Sequence, residues 1–252
     1  MGSVVRMTQG ATSAPASPAT AVRSPARVAD RAAAVLGLIG AVLYTDWVVL
    51  GPLIGRDLSS ARSYVSELGA LTHPGHGLVN ALDVISGLCI MVFSVLLARR
   101  LPLPAGRLGP LLGCAGLSAF GAATALNALW PMTCAPSVQA ACAAGGMALR
   151  GRAQDVAYTA LSAVAVFGVE ASMLALGRGL RRSPGWAGAA QAGRWIFAGT
   201  VPLTGLVTLL GLLERDVGLT QRALIVVQAG WVATLAVQLL RAGRRAGRRR
   251  PA

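Results

Sequence analysis

The chain has 252 residues, of which 54% are hydrophobic and 13% charged, and its mean hydropathy is +0.61. A soluble domain carries roughly 25% charged residues, so this composition excludes an ordinary soluble protein and places the chain in the membrane class. The net charge of +14 comes from 23 arginines and no lysine; that excludes a P-loop, a Schiff base or a Ser–Lys dyad, and arginines at the ends of apolar runs do not make a nucleic-acid-binding domain.

Residues 1–30 are rich in Ala, Ser, Pro and Thr, with Arg6, Arg23 and Arg27 among them. They contain no apolar run of the kind a signal peptide needs, and they read as a disordered cytoplasmic tail. Six apolar segments follow, at Ala32–Ile54, Leu78–Leu97, Leu108–Leu129, Val156–Leu176, Trp195–Leu213 and Ala223–Leu240. Each is about 18–23 residues long, and at ~1.5 Å per residue each crosses a ~30 Å hydrocarbon core. Helices are required there, because a lipid-facing backbone must satisfy its own hydrogen bonds. The expected fold is all-α: a six-helix transmembrane bundle over residues 31–241, with a basic cytoplasmic tail at 242–252. Pro202 in the fifth segment suggests a kink. The Gly51–Gly55 spacing is a small-xxx-small pair of low specificity.

Arginine placement orients the bundle. With both termini in the cytoplasm, the inner segments hold Arg31, Arg99, Arg100, Arg107, Arg178, Arg181, Arg182 and Arg194, besides the arginines of the two tails. The outer loops hold only Arg56, Arg62, Arg150, Arg152, Arg215 and Arg222. The expected location is a bacterial cytoplasmic (inner) membrane. The lipid bilayer is the expected partner, and the Arg-rich C-terminus either anchors topology or binds anionic lipid headgroups.

The first outer loop, Gly55–Gly77, is polar and carries Tyr64, Ser66, Glu67, His73 and His76. Two histidines around a Pro-Gly turn, with no third in the chain, are a weak metal signal, so neither a metal nor a cofactor is expected. The second outer loop, Trp130–Asp155, contains Cys134 and Cys142, which can form a disulfide on the outer side. Cys89 and Cys114 fall inside apolar runs and read as small core residues.

Ionisable groups inside the hydrocarbon are costly and face the bundle interior or a wet cavity. Three occur within the apolar segments: Asp46, Asp83 and Glu170. Counting along the helices puts Asp46 about 12 Å and Asp83 about 7–8 Å below their outer ends, so the two carboxylates can meet. Glu170 lies about 21 Å down and belongs to a different environment. Further polar residues follow helical spacing: Asn80, Asp83, Gly87 and Ser94; Asp155, Thr159, Ser162 and Glu170; Thr200, Thr204, Thr208 and Gly211; and Gln221, Gln228 and Gln238. Asn127 adds a polar group at the outer end of the third helix. Interhelical hydrogen bonding explains the Thr and Gln stripes without a site. Two close carboxylates, by contrast, share a proton and suit proton relay, cation binding or acid–base work, although Arg56 or Arg62 can instead neutralise one of them.

The run Tyr64-Val-Ser66-Glu67-Leu68-Gly69-Ala70 resembles the hallmark of a bacterial membrane family, number 998 among the domains of unknown function. Its members show a Ser-x-Leu-Gly-Ala element after the first helix, an aromatic residue just before it, and six helices. A second element resembles Trp130-Pro131-Met132-Thr133-Cys134, although Gln154-Asp155 stands where the family has a His; His-dependent chemistry is therefore not implied. The resemblance spans roughly Ala32–Leu240 and implies the fold but no activity. The Ser66–Glu67 loop reads either as a short interfacial helix with a Gly cap and Tyr64 as its anchor, or as the lid or wall of a site.

The leading functional expectation is an outward-facing polar cavity that binds or passes a small solute, proton or lipid headgroup. Asp46, Asp83, Ser66, Glu67, Tyr64 and Asn80 would form it, with Asn127, Asp155 and Glu170 in secondary places. The alternatives are a membrane enzyme acting on lipid or cell-wall intermediates, and a structural or assembly partner without a site.

Overall fold

The computed structural model describes residues 25–101, 108–143 and 153–248. The described part is helical throughout: α1 (Pro25–Leu43), α2 (Trp47–Ile54), a 3-10 helix (Val65–Gly69), α3 (His76–Ala98), α4 (Gly109–Leu129), α5 (Ala140–Ala143), α6 (Ala153–Gly179), α7 (Ala187–Leu212) and α8 (Gly218–Arg248). Six spans are long and apolar enough to cross a membrane, with α1 and α2 together forming the first, Val28–Ile54. An even number of crossings leaves the N-terminal start of α1 and the C-terminal end of α8 at one end of the bundle. The other end carries the 3-10 helix and the Cys134–Cys142 loop, and is called the loop end below.

Several helices outrun their apolar segments. The chain is already helical at Pro25, within the stretch expected to be tail, and a proline is well suited to a first helical position. An ion pair between Arg100 and Asp30 (2.9 Å) ties this first part of α1 to the end of α3. The fifth span begins at Ala187 rather than Trp195, and runs through Pro202 without interruption. The last span continues to Arg248, so the start of the basic tail is a helical extension. Hydropathy reports where side chains are apolar, whereas helical hydrogen bonding continues into the interface. The rest of the expected tails, residues 1–24 and 249–252, lies outside the described residues.

The first span is broken, which its hydropathy did not foretell. At Tyr44-Thr45-Asp46 the ladder tightens from four-residue to three-residue spacing, with Thr45 N–H donating to Val42 O (3.0 Å) and Asp46 N–H to Leu43 O (3.1 Å). The Thr45 hydroxyl donates to the same Val42 carbonyl (2.9 Å). Short polar side chains compete with the helix in this way. Asp46 then stands at the N-cap position of α2 without a side-chain capping bond, and α2 buries no residue of its own and contains Pro52.

Packing closes the spans into a ring in chain order: α1 on α3, α3 on α4, α4 on α6, α6 on α7, α7 on α8 and α8 back on α1. Glycines set the closest approaches. A Cβ on Gly87 of α3 would meet the Gly121 carbonyl of α4 at 2.4 Å, and one on Gly116 of α4 would meet the Gly168 carbonyl of α6 at 2.5 Å. Lipid exerts no hydrophobic drive between helices, so such backbone contact and its dispersion energy hold them together. Gly51, by contrast, has open space where a Cβ would stand, so the Gly51–Gly55 pair is not a helix-packing pair in this chain.

The interior of the ring changes character along its length. Towards the terminus-bearing end it is filled by Phe93, Leu97, Leu117, Met173, Leu176, Trp231 and Leu235, all fully buried. Towards the loop end it holds Tyr44, Asp83, Tyr158 and Gln228.

Candidate functional site

The loop end is roofed by the first loop. The 3-10 helix is tied down on three sides. Asn80 of α3 donates to Gly69 O (3.0 Å), Val65 N–H donates to Gln221 of α8 (2.7 Å), and Leu71 N–H donates to Met132 O of the second loop (3.0 Å). Arg222 reinforces the α8 side, donating to Ser60 O (2.7 Å) and Ser63 O (3.0 Å) while its guanidinium lies 5.5 Å over the Trp47 ring. Gly69 is required for close approach, since a Cβ there would stand 2.6 Å from Asn80 Oδ1. Of the two readings of this loop, the short helix is present, but as a 3-10 turn ending on extended Ala70 and without a glycine cap.

Glu67 departs from its expected role. It is fully buried. Its carboxylate accepts from Tyr64 N–H (3.1 Å), Ser137 N–H (3.2 Å) and the Ser137 hydroxyl (2.5 Å). Glu67 therefore caps its own turn and fastens the first loop to the second, and is not open to a solute. Burial, and then the Glu67 charge, push the Tyr64 phenol up to about 12, so this side chain is a neutral packing group.

Beneath the roof, groups from several elements converge on Asp83 of α3. It lies in the electrostatic field of Asp46, at the break of the first span, and of Tyr44 and Tyr158. Asp83 is half-buried. Tyr44 donates to Gln228 Oε1 (3.3 Å), and its ring meets Phe120 edge-on at 5.0 Å, where the polar space gives way to the apolar plug. Ser162 of α6 donates to the Tyr158 backbone carbonyl (2.9 Å). Three buried polar atoms here have no protein partner: Asp46 Oδ2, Trp47 Nε1 and Gln228 Nε2. Among the described residues the ion pairs are Arg100–Asp30 and His73–Asp57, so neither Asp46 nor Asp83 has a basic partner in contact, and Arg56 and Arg62 do not neutralise them.

The other named residues lie apart from this space. Asp155 accepts from Thr133 N–H and the Thr133 hydroxyl (both 2.9 Å), and Gln154 donates to Pro131 O (2.6 Å). Together they dock the Trp130–Cys134 turn onto α6, a structural task that requires no histidine. Cys134 and Cys142 are joined in a disulfide, their Cα atoms 6.1 Å apart. Asn127 of α4 meets Ser162 of α6 at 3.0 Å, next to Tyr158. Glu170 accepts from Thr204 (2.6 Å) and joins α6 to α7. His73 is buried, accepts from Gly75 N–H (3.2 Å) and faces Asp57 at 3.5 Å. No cluster suited to a metal ion occurs among the described residues.

Sequence reasoning missed Tyr44 and Tyr158 as parts of this end, and counted Arg222 there only as an outer-loop charge. A signal was available for the tyrosines, since the chain has three in all and two of them lie within apolar spans. Gln228 was read as part of a stripe. Each glutamine instead serves a separate partner: Gln221 the roof, Gln228 Tyr44, and Gln238 the Gly185 carbonyl.

No curated protein and no solved structure matches the chain. A family described as a protein of unknown function, DUF998, matches residues 38–238, which takes in the first loop, four whole spans and most of the first and last. The chain is thus a multi-pass membrane protein that belongs to the DUF998 family.

Proposed function

We propose that this protein binds or passes a proton or a small cationic solute through the polar space beneath its first loop, and that the space opens to the outer face of a bacterial inner membrane. One observation carries the reading: Asp83 and Asp46, both within membrane spans, have no basic side chain in contact among the described residues, and Asp46 Oδ2 is buried without a partner. Two carboxylates held this way attract positive charge, either a proton shared between them or a cation held by both. A structural partner without a site would bond each aspartate to a neighbouring helix, and Asp46 Oδ2 is buried without such a partner. Orientation rests on the arginine bias and on the disulfide at the loop end, which persists in an oxidising compartment.

The apolar plug below Tyr44, where Phe93, Leu117, Phe120 and Trp231 are fully buried, supports access from the loop end. The break at Asp46 supports it as well. Interrupted membrane helices place irregular backbone where it lines a cavity, and ion sites are built at such interruptions.

The test is the double variant Asp46→Asn, Asp83→Asn. It keeps the shapes and the hydrogen-bonding capacity, so it should insert and fold like the natural protein. In liposomes loaded with a pH-sensitive dye, the natural chain should speed the collapse of an imposed proton or sodium gradient and the variant should not. Lipid and metabolite profiles of cells carrying the variant should match those of a deletion strain. Natural-like behaviour of the double variant in both assays would sink the proposal. A lipid intermediate accumulating in both strains would move the reading to an enzyme that uses the pair as acid and base.

A further inference from the structure

A second feature lies at the opposite end of the bundle, on its outer surface. Between the start of α7 and the second half of α8 runs an open groove of about 470 Å³. Ala189, Ala192 and Ala233 line it with small apolar side chains, Val237 adds an apolar wall, and Arg241 stands at its terminus-bearing end. The polar lining residues Thr234 and Gln238 are engaged, donating to the Gly230 and Gly185 carbonyls. Arg241 is exposed and, among the described residues, forms no ion pair; the nearby acid, Asp30, is taken by Arg100. Arg194 on α7 and Arg244 on α8 are exposed at the same end.

This combination defines an occupant. The groove faces the surroundings of the bundle, which for a membrane protein is lipid. An apolar channel along the helices accepts an acyl chain. A cation at the depth where the spans leave the hydrocarbon meets the phosphate, and two further exposed arginines favour a headgroup whose net charge is negative over a zwitterionic one. We propose that the α7–α8 groove is a binding site for an anionic phospholipid, with its acyl chain along Ala192 and Val237 and its phosphate on Arg241. The proposal does not depend on the carboxylate pair.

Lipid titration of the detergent-solubilised full chain, read by native mass spectrometry, tests it. Phosphatidylglycerol should bind at least about fivefold more tightly than phosphatidylcholine, the factor that corresponds to ~1 kcal/mol for one surface arginine. Arg241→Gln should weaken phosphatidylglycerol about fivefold. Gly188→Leu should weaken both lipids, because it adds a side chain at a lining position where a Cβ meets nothing within 4 Å, so that folding is not disturbed. Arg215→Gln, at the loop end, should bind phosphatidylglycerol like the natural chain. Equal binding of the two lipids, undiminished phosphatidylglycerol binding by Arg241→Gln or by Gly188→Leu, or an equal loss in Arg215→Gln would overturn the proposal. Competition by sn-glycerol 3-phosphate as strong as by the whole lipid would overturn it too, by assigning the site to a free anion.

Discussion

Glu67 illustrates how a residue with the chemistry of a ligand-binding group can be consumed by structure. Its carboxylate is buried completely and satisfies three donors, two of them backbone N–H groups. Removing it leaves those donors in a space that water does not reach, and each orphaned group costs ~1–3 kcal/mol. Glu67→Ala should therefore destabilise the protein by about 3 kcal/mol, whereas Ser137→Ala, which deletes a single hydroxyl, should cost about 1 kcal/mol. Thermal unfolding in detergent would show the difference, and equal midpoints for the two variants would contradict the capping role. Asp83 presents the opposite case, a carboxylate without a hydrogen-bonded protein donor or a basic contact among the described residues, which is why it and not Glu67 enters the proposal. Sequence spacing could not separate the two. Both are single acidic residues near the outer end of the bundle, and their difference lies in partners contributed from the second loop, 70 residues away for Ser137.

At the scale of elements, α4 is the hub, held against α3 and α6 by backbone approaches at glycine. A Cβ on Gly121 would stand 2.5 Å from the Gly87 carbonyl, and backbone on both sides cannot give way. Gly121→Ala should cost about 2 kcal/mol through overpacking. Gly51→Ala, on the exposed α2, should change stability by no more than about 0.5 kcal/mol. The same unfolding measurement compares them, and a Gly51→Ala as damaging as Gly121→Ala would refute the packing scheme. The two glycines look alike in sequence: each stands in an apolar span, among the chain's 31 glycines. Only α2's lack of buried residues tells them apart. The break before α2 was equally hidden. Thr45 and Asp46 were visible as polar residues, but whether they interrupt a helix depends on whether a cavity exists to receive the freed backbone groups.

For the whole molecule, the closed ring in chain order follows from six spans joined by mostly short connections, which make consecutive helices antiparallel neighbours. Its two ends differ: one is a roofed polar space, the other a plugged core with an arginine rim. The proposed orientation predicts a labelling pattern. After reduction, a membrane-impermeant maleimide added to intact cells should modify Cys134 and Cys142 at the loop end. It should spare Cys114, buried in α4, and Cys89, within α3. Labelling of Cys134 and Cys142 only after the cells are opened would invert the topology and carry the polar space to the inner face.

The membrane class, the number of spans, the family and the presence of costly carboxylates within the spans were all legible without coordinates. Each depends on composition or on position along one chain segment, and the bilayer turns such local properties into geometry. The partners of those carboxylates were not legible. Whether a charge is spent on backbone donors, as with Glu67 and Asp155, or left without them, as with Asp83, is settled by groups distant in sequence that meet only when the ring closes and the loops fold over it. Burial and hydrogen bonding are properties of that meeting, so they appear at the level of the folded chain and not of the segment.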